Sequence, residues 1–329
     1  MKILRRQFLH LAANAAALPA ASRFARAQTY PTRPITIVVG YAAGGPTDTA
    51  ARILAEVLKP PLGQAVLIEN VTGANGSIGV GRVVRAAPDG YTLSFGDLGT
   101  HVVNQVTYPL AYDLRTDLQP IALLATLSAL VVARNGMPGG NLTELVAWLR
   151  ANPNKASAGT GGVAGADHLA GLMFQNITGT RVQFIPYRGS APAVQDMLAG
   201  QIDMMFTFPA VTLPYIQAGR IKAYAAMAKG RLEAAPGIPT VDEAGVPGAY
   251  FSTWVSLWAS KGTPKDIVAR LNSAIAAALA GQAIKARFAD LGFDVAPPDQ
   301  QSPDGLTTLQ KAEIDKWWPI IKAAGIKAE

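Results

Sequence analysis

Residues 35–52, ITIVVGYAAGGPTDTAAR, read as a buried strand, a glycine turn and the start of a helix. Ile35, Ile37, Val38 and Val39 form a short, largely β-branched run, as expected of a parallel strand buried on both faces. Gly44 and Gly45 let the backbone turn sharply and approach a ligand closely. Pro46 suits the first helical position, where its missing N–H has no intrahelical partner to lose. Asp48 falls in the first turn, where a carboxylate complements the helix dipole. The helix then runs from Thr49 to Lys59. Such a junction leaves backbone N–H groups facing a crevice, which suits a carboxylate or a phosphate, although many βα turns of this kind bind nothing. G-x-G-x-x-G is absent and no Gly-Lys-Ser/Thr follows, so the stretch is neither a dinucleotide fingerprint nor a Walker loop.

The same alternation recurs down the chain. Short apolar runs at 65–69, 91–96, 121–125, 130–133, 156–159, 182–186, 202–206, 223–228 and 254–260 read as strands. Helical patterns lie between them, and a terminal helix over 306–324 carries Trp317 and Trp318, expected as packing anchors. Regular alternation indicates an α/β fold, a parallel sheet with helices on both faces. Residues 129–250 hold their own βαβ series, so the expected organisation is two lobes: 28–128 with 251–329, and 129–250. The chain would cross between them near Leu127 to Val132 and again near Trp254 to Trp258. Two crossing strands make a hinge, and the cleft between the lobes would be the ligand site.

Residues 1–27 are expected to be an export signal. Lys2, Arg5 and Arg6 precede an apolar, alanine-rich run from Phe8 to Ala21, and Ala25-Arg26-Ala27 is a small-x-small cleavage signature. Cleavage after Ala27 would start the mature chain at Gln28. Arg5-Arg6 followed by Gln7, Phe8 and Leu9 resembles a twin-arginine signal, with Leu4 where Ser or Thr is usual. Removing this segment, with five basic residues and no acidic ones, takes the formal charge from +7 to +2. No basic face then argues for nucleic acid. The absence of cysteine excludes disulfides, thiolate catalysis and Cys–zinc sites.

No catalytic constellation stands out. There are three histidines, and His10 lies in the signal. No H-E-x-x-H, no acidic metal loop and no G-x-S-x-G elbow occurs, so no metal, no cofactor and no catalytic residue is expected. A Ser190–His168–Asp203 set could be assembled, as in nearly any chain of this length. His101 and His168 each sit where a turn enters a helix, and a bond to a neighbouring carbonyl is the expected role. What recurs is glycine and hydroxyl groups at predicted strand ends: 41–48, 96–101, 159–168, 187–190 and 207–209. In open α/β sheets the ligand crevice lies outside the carboxyl ends of the strands. Five such loops describe a binding protein.

An ordered series of motifs over the mature chain then resembles the solute receptors of tripartite tricarboxylate transporters, the Bug family. It runs from Tyr30-Pro31-Thr32-Arg33-Pro34-Ile35 and Gly44-Gly45-Pro46-Thr47-Asp48 through Ala86-Ala87-Pro88-Asp89-Gly90-Tyr91-Thr92-Leu93. It continues through Pro186-Tyr187-Arg188-Gly189-Ser190-Ala191-Pro192-Ala193 and Gly200-Gln201-Ile202-Asp203-Met204-Met205 to Gly262-Thr263-Pro264. The resemblance implies a type II periplasmic binding fold, with capture of a small organic carboxylate and its delivery to membrane permease subunits. It implies ligand contacts from Tyr41, Ala43, Gly44, Gly45, Thr47 and Asp48, and from Thr100, Thr160, Gly161, Asp167, His168 and Tyr187. Asp48 is as well suited to helix capping or bracing as to direct contact.

Three departures from the family pattern bear on the ligand. The loop from Ser157 to His168 is longer, Asp167 stands where Ser or Thr is common, and Thr207-Phe208 stands where Asp or Asn is frequent. Like charges 4 Å apart at an effective dielectric of ~20 cost about 4 kcal/mol. If Asp167 lines the cleft, the ligand is therefore not a polyanion such as citrate. It is a monocarboxylate, an amino acid whose amine meets Asp167, or an aromatic acid packed on Phe208. Otherwise Asp167 faces solvent as a helix N-cap. The expected protein is a monomeric periplasmic receptor. A receptor that acts on a sensor protein and a secreted hydrolase are the alternatives.

Overall fold

The computed structural model describes residues 30–327. The expected signal and its cleavage point after Ala27 lie outside them. Of residues 1–32, only Tyr30, Pro31 and Thr32 are described, and the Tyr30–Pro31 peptide is cis.

From Arg33 onward the chain opens with β1 (Ile35–Val39), buried at every position but Thr36. A loop leads to α1 (Pro46–Leu62), with Pro46 in its first turn and Asp48 after it. The helix does not stop at Lys59 as expected. It continues through Pro60 and Pro61 to Leu62, and Gly63, at φ +68°, donates to the Lys59 carbonyl. The prolines sit in the exposed last turn, where their lost hydrogen bonds cost least, and Leu62 anchors that turn in the core. Then come β2 (Val66–Asn70), α2 (Ser77–Val84), β3 (Thr92–Gly96), a π turn over Gly99–Val103 and α3 (Asn104–Thr107). β4 (Leu118–Ser128) is followed, after Ala129 alone, by β5 (Leu130–Arg134).

The second series runs α4 (Leu142–Ala151), β6 (Ser157–Thr160), α5 (Ala166–Thr178), β7 (Gln183–Pro186) and α6 (Ser190–Leu198). β8 (Met204–Thr207), α7 (Pro209–Gln217) and β9 (Ile221–Ala226) complete it. The chain returns through β10 (Ser252–Ser260) to α8 (Lys265–Ala280), α9 (Gln282–Ala289), β11 (Asp294–Val295) and α10 (Pro303–Ala323). Asn141 caps α4 by accepting from the Glu144 amide, the bond an Asn at that position offers a helix start.

Two sheets result. One has the order β11-β4-β10-β3-β1-β2, the other β7-β6-β8-β5-β9. The expected parallel pairing holds for β2-β1-β3 and β7-β6-β8. The rest is antiparallel: β10 against β3 and β4, β11 against β4, and β5 against β8 and β9. The reason is geometric. β3, β4, β8 and β9 end where the two sheets face each other, whereas β5 and β10 begin there.

The chain passes from the first sheet to the second at Ala129 and returns at Phe251. Ala129 donates to the Phe251 carbonyl at 3.0 Å, Phe251 to that of Met227 at 2.9 Å, and Met227 to that of Ala129 at 2.7 Å. Each lobe has its own core. In the second, Leu130, Val132, Val194, Met197 and Met205 pack together. In the first, Ile37, Leu54, Leu93, Leu123, Leu257 and Ile275 are all buried. Trp317 is buried edge-on to Phe251, and the Trp318 indole donates to the Val102 carbonyl at 2.9 Å, so both pack as anchors.

Candidate functional site

Between the lobes lies a small cavity of about 30 Å³, the space open to the centres of water-sized molecules. Strand ends from both sheets build it. Tyr41, Gly45, Pro46 and Thr47 come from the junction of β1 and α1, and Asp97 follows β3. Gly161, Gly165, Ala166 and Asp167 come from the loop between β6 and α5. Ser190 opens α6, Phe208 follows β8, and Leu127, Thr253 and Val255 close the back on β4 and β10. Alternation along β10 puts Thr253 and Val255 on the cavity side and Trp254 on the other. The N-termini of α1, α5 and α6 all reach the cavity, and first-turn amides have no intrahelical partner.

Contacts across the cleft show the lobes closed on each other. The Ala42 amide donates to the Arg188 carbonyl at 2.9 Å, and the Tyr108 hydroxyl to the Val163 carbonyl at 3.3 Å. Gly189 sits at φ +135°, and a Cβ there would lie 3.1 Å from the Ala42 nitrogen. Only glycine fits this close approach.

Two buried carboxylates face the cavity. Asp97 Oδ1 accepts from the Tyr41 hydroxyl at 3.1 Å and from the Thr100 amide at 3.0 Å and hydroxyl at 3.1 Å. Burial pushes the Asp97 carboxyl above its ordinary range, against the pull of the Thr100 and Tyr41 hydrogen bonds. Asp167 Oδ2 accepts from the Gly161 amide at 2.5 Å and the Ser190 hydroxyl at 3.1 Å, and Oδ1 from the His168 amide at 2.9 Å. Burial pushes it up to about 6, and the Asp97 charge adds to the push. Burial, then the charges of Asp97 and Asp167, raise the Tyr41 phenol well above its usual value. Asp167 therefore lines the cavity and does not face solvent as an N-cap.

The first loop is held from behind. Asp48 is buried and accepts from the Gly44 amide at 2.9 Å, from Arg52 at 2.9 and 3.0 Å and from Asn70 at 2.8 Å. Asn70 also donates to the Tyr41 carbonyl at 2.9 Å. Burial alone would raise the Asp48 carboxyl, but hydrogen bonds from Arg52, Gly44 and Asn70 outweigh it and hold it below the usual range.

Of the residues singled out in the sequence, Tyr41, Gly45, Thr47, Gly161, Asp167 and Phe208 come together on the cavity wall. Others stand apart from that wall. Ala43 and Gly44 line an outer groove with Ala191 and Tyr215. Asp48 braces the loop, and Thr100 positions Asp97. Thr160 turns its hydroxyl to the Gly162 carbonyl, and Tyr187 donates to Asp196 at 2.7 Å. His168 Nδ1 accepts from the Ala164 amide at 2.8 Å, and its ring meets the edge of Phe184. Neither histidine takes the expected carbonyl bond. His101 is buried between the hydroxyls of Ser94 and Thr100 and stacks on Trp258. Burial lowers His101 to about 3 and His168 to about 4, so both are neutral. Ser190, His168 and Asp203 share no hydrogen bond among the described residues. Asp203 is engaged with Arg134 and Ser157.

Asp97, Ser190 as a wall residue, and Thr253 with Val255 escaped the sequence reading. Asp97 lay within a loop picked out at a strand end. The β10 pair carried no local signal, because a strand says nothing of what faces it. Among the described residues no group of three or more His, Asp or Glu side chains could hold a metal ion.

With this geometry in hand, the profile of the family described as "Tripartite tricarboxylate transporter family receptor" matches residues 50–326. The chain belongs to this family. A relative from Agrobacterium vitis, described as the UPF0065 protein in the TAR-I ttuE-ttuC' intergenic region, is 36% identical over 297 residues, 90% of this chain and 86% of its own. Among solved structures, the periplasmic binding protein BugD superposes with a TM-score of 0.86 at 37% identity, covering 91% of this chain and all of its own. MatC from Rhodopseudomonas palustris, solved with bound malate, gives 0.84 at 36% identity, covering 89% of this chain and all of its own. The architecture is accordingly the two-lobed α/β binding fold of this family's receptors.

Proposed function

We propose that this receptor is exported to the periplasm, captures one small organic carboxylate in the cleft and presents it to membrane permease subunits. The lobes are 28–128 with 251–329, and 129–250, hinged at Ala129 and Phe251. The observation that carries the reading is a closed cavity onto which three helix N-termini converge. They offer a carboxylate backbone N–H donors and the favourable end of three dipoles. Tyr41, Gly45, Thr47 and Gly161 stand at those donors, and Phe208 supplies the apolar wall. The malate bound by MatC supports a carboxylate as the captured group. Asp97 and Asp167 argue against a polyanion such as citrate, leaving a monocarboxylate, an amino acid or an aromatic acid.

The test is a thermal-shift screen of the exported protein, unfolded and refolded to strip carried ligand, against carboxylates, amino acids, aromatic acids and sugars. A ligand at 100 times its Kd adds about 2.7 kcal/mol of stability. Hits confined to carboxylates are expected. Stabilisation by sugars alone would refute the reading.

A further inference from the structure

We infer that Asp97, Asp167 and the Thr253 hydroxyl form a subsite for a cationic nitrogen, so that the captured acid also carries an ammonium group. The inference rests on the carboxylate reading and narrows it.

The first observation is charge. The cavity wall holds Asp97 and Asp167 and, among the described residues that line it, no Lys, Arg or His. The two carboxylates come from opposite lobes, one after β3 and the other in the first turn of α5, so closure brings both to one enclosed space. Every protein group bonded to them is a donor. Asp97 takes bonds from Tyr41 and Thr100, and Asp167 from Gly161, Ser190 and His168. Hydrogen bonds donated to a carboxylate favour its ionised form. Two ionised carboxylates on one wall leave a negative charge that a purely anionic ligand would aggravate.

The second observation is independent. Thr253 is 4% exposed, lies on the cavity face of β10, and its Oγ1 has no hydrogen-bond partner. Buried hydroxyls are rarely left unsatisfied, and one on a ligand cavity is completed by what enters. An ammonium group has three N–H donors and no acceptor. Asp97, Asp167 and Thr253 offer it three acceptors. The carboxylate of the same ligand would occupy the helix N-terminus of α1.

The test uses matched pairs. The exported, refolded protein is titrated calorimetrically with amino acids, 4-aminobutyrate among them, and with the same acids lacking the amine, in EDTA and again with calcium. The amine-bearing member should bind at least about tenfold tighter, since a charge-assisted hydrogen bond contributes on that scale. Asp97→Asn and Asp167→Asn should each shrink that ratio about tenfold. Because the readout is a ratio within one variant, a folding defect cannot mimic it. Equal or tighter binding of the amine-free acid overturns the inference and leaves the carboxylate receptor standing. So does binding that requires calcium. If other carboxylates bind and no pair member does, the inference falls alone. If no carboxylate binds, the receptor reading falls with it.

Discussion

Replacing Asp48 with alanine should loosen the first loop without touching the cavity wall. The side chain is 2% exposed, and its carboxylate gathers four hydrogen bonds, two of them from Arg52. Arg52 is half exposed, so its pair is screened and contributes about 0.5–1 kcal/mol. The Gly44 amide and the Asn70 amide contribute about 1 kcal/mol each. Together the loss is about 2.5–3 kcal/mol. With an m value near 3 kcal/mol/M, the urea midpoint should fall by roughly 0.8–1 M. The pH dependence supplies a second check. Asp48 sits below its ordinary value of 3.8 in the folded chain, so its contribution is complete above that pH. It is lost as pH falls through the lower folded value. The gap between wild type and Asp48→Ala should therefore be the same at pH 7 and pH 5 and narrow below 3.8. Ligand affinity should also drop, because Asn70, which holds the Tyr41 carbonyl, loses the Asp48 bond that fixes its amide. A variant within about 0.5 kcal/mol of wild type at pH 7, or a gap that widens on acidification, would refute this account of the brace.

Three further outcomes follow from the same geometry. Gly189→Ala places a Cβ 3.1 Å from the Ala42 nitrogen at φ +135°; it should cost the closed form about 1–3 kcal/mol, read as weaker ligand binding and a larger scattering radius. Asp167 titrates at about 6 when folded against 3.8 ordinarily, so wild type loses stability as pH rises through that window. Asp167→Asn should gain on wild type by up to about 3 kcal/mol between pH 4 and 7, measured by urea unfolding. Phe208→Ala, removing a ring that is 3% exposed, should lower stability by about 3–4 kcal/mol and admit bulkier acids in a thermal-shift screen.

The amino-acid sequence by itself determined what is local. β-Branched runs made Ile35–Val39 a buried strand, Pro46 opened α1, and Asn141 capped α4, because each depends on residues within one turn or one strand. The loops after β1, β3, β6 and β8, which line the cavity, stood out for the same reason: a glycine or hydroxyl cluster at a strand end is a short-range pattern. The tertiary structure alone decided which of those loops' residues face one another. Asp97 and Asp167 stand 70 positions apart in sequence and share a cavity only because β3 and β6 end at the same cleft. Thr253 joins them because β10 begins there, running against β3 and β4. His168 adjoins the acidic wall in sequence yet packs on Phe184, since consecutive helix positions point about 100° apart. Strand direction was likewise a global outcome, as a chain that leaves one sheet for another and returns must enter each against strands that end at the crossing. Pattern within a dozen residues sets an element and its loop. Which carboxylate meets which hydroxyl across two lobes is set by closure of the whole chain.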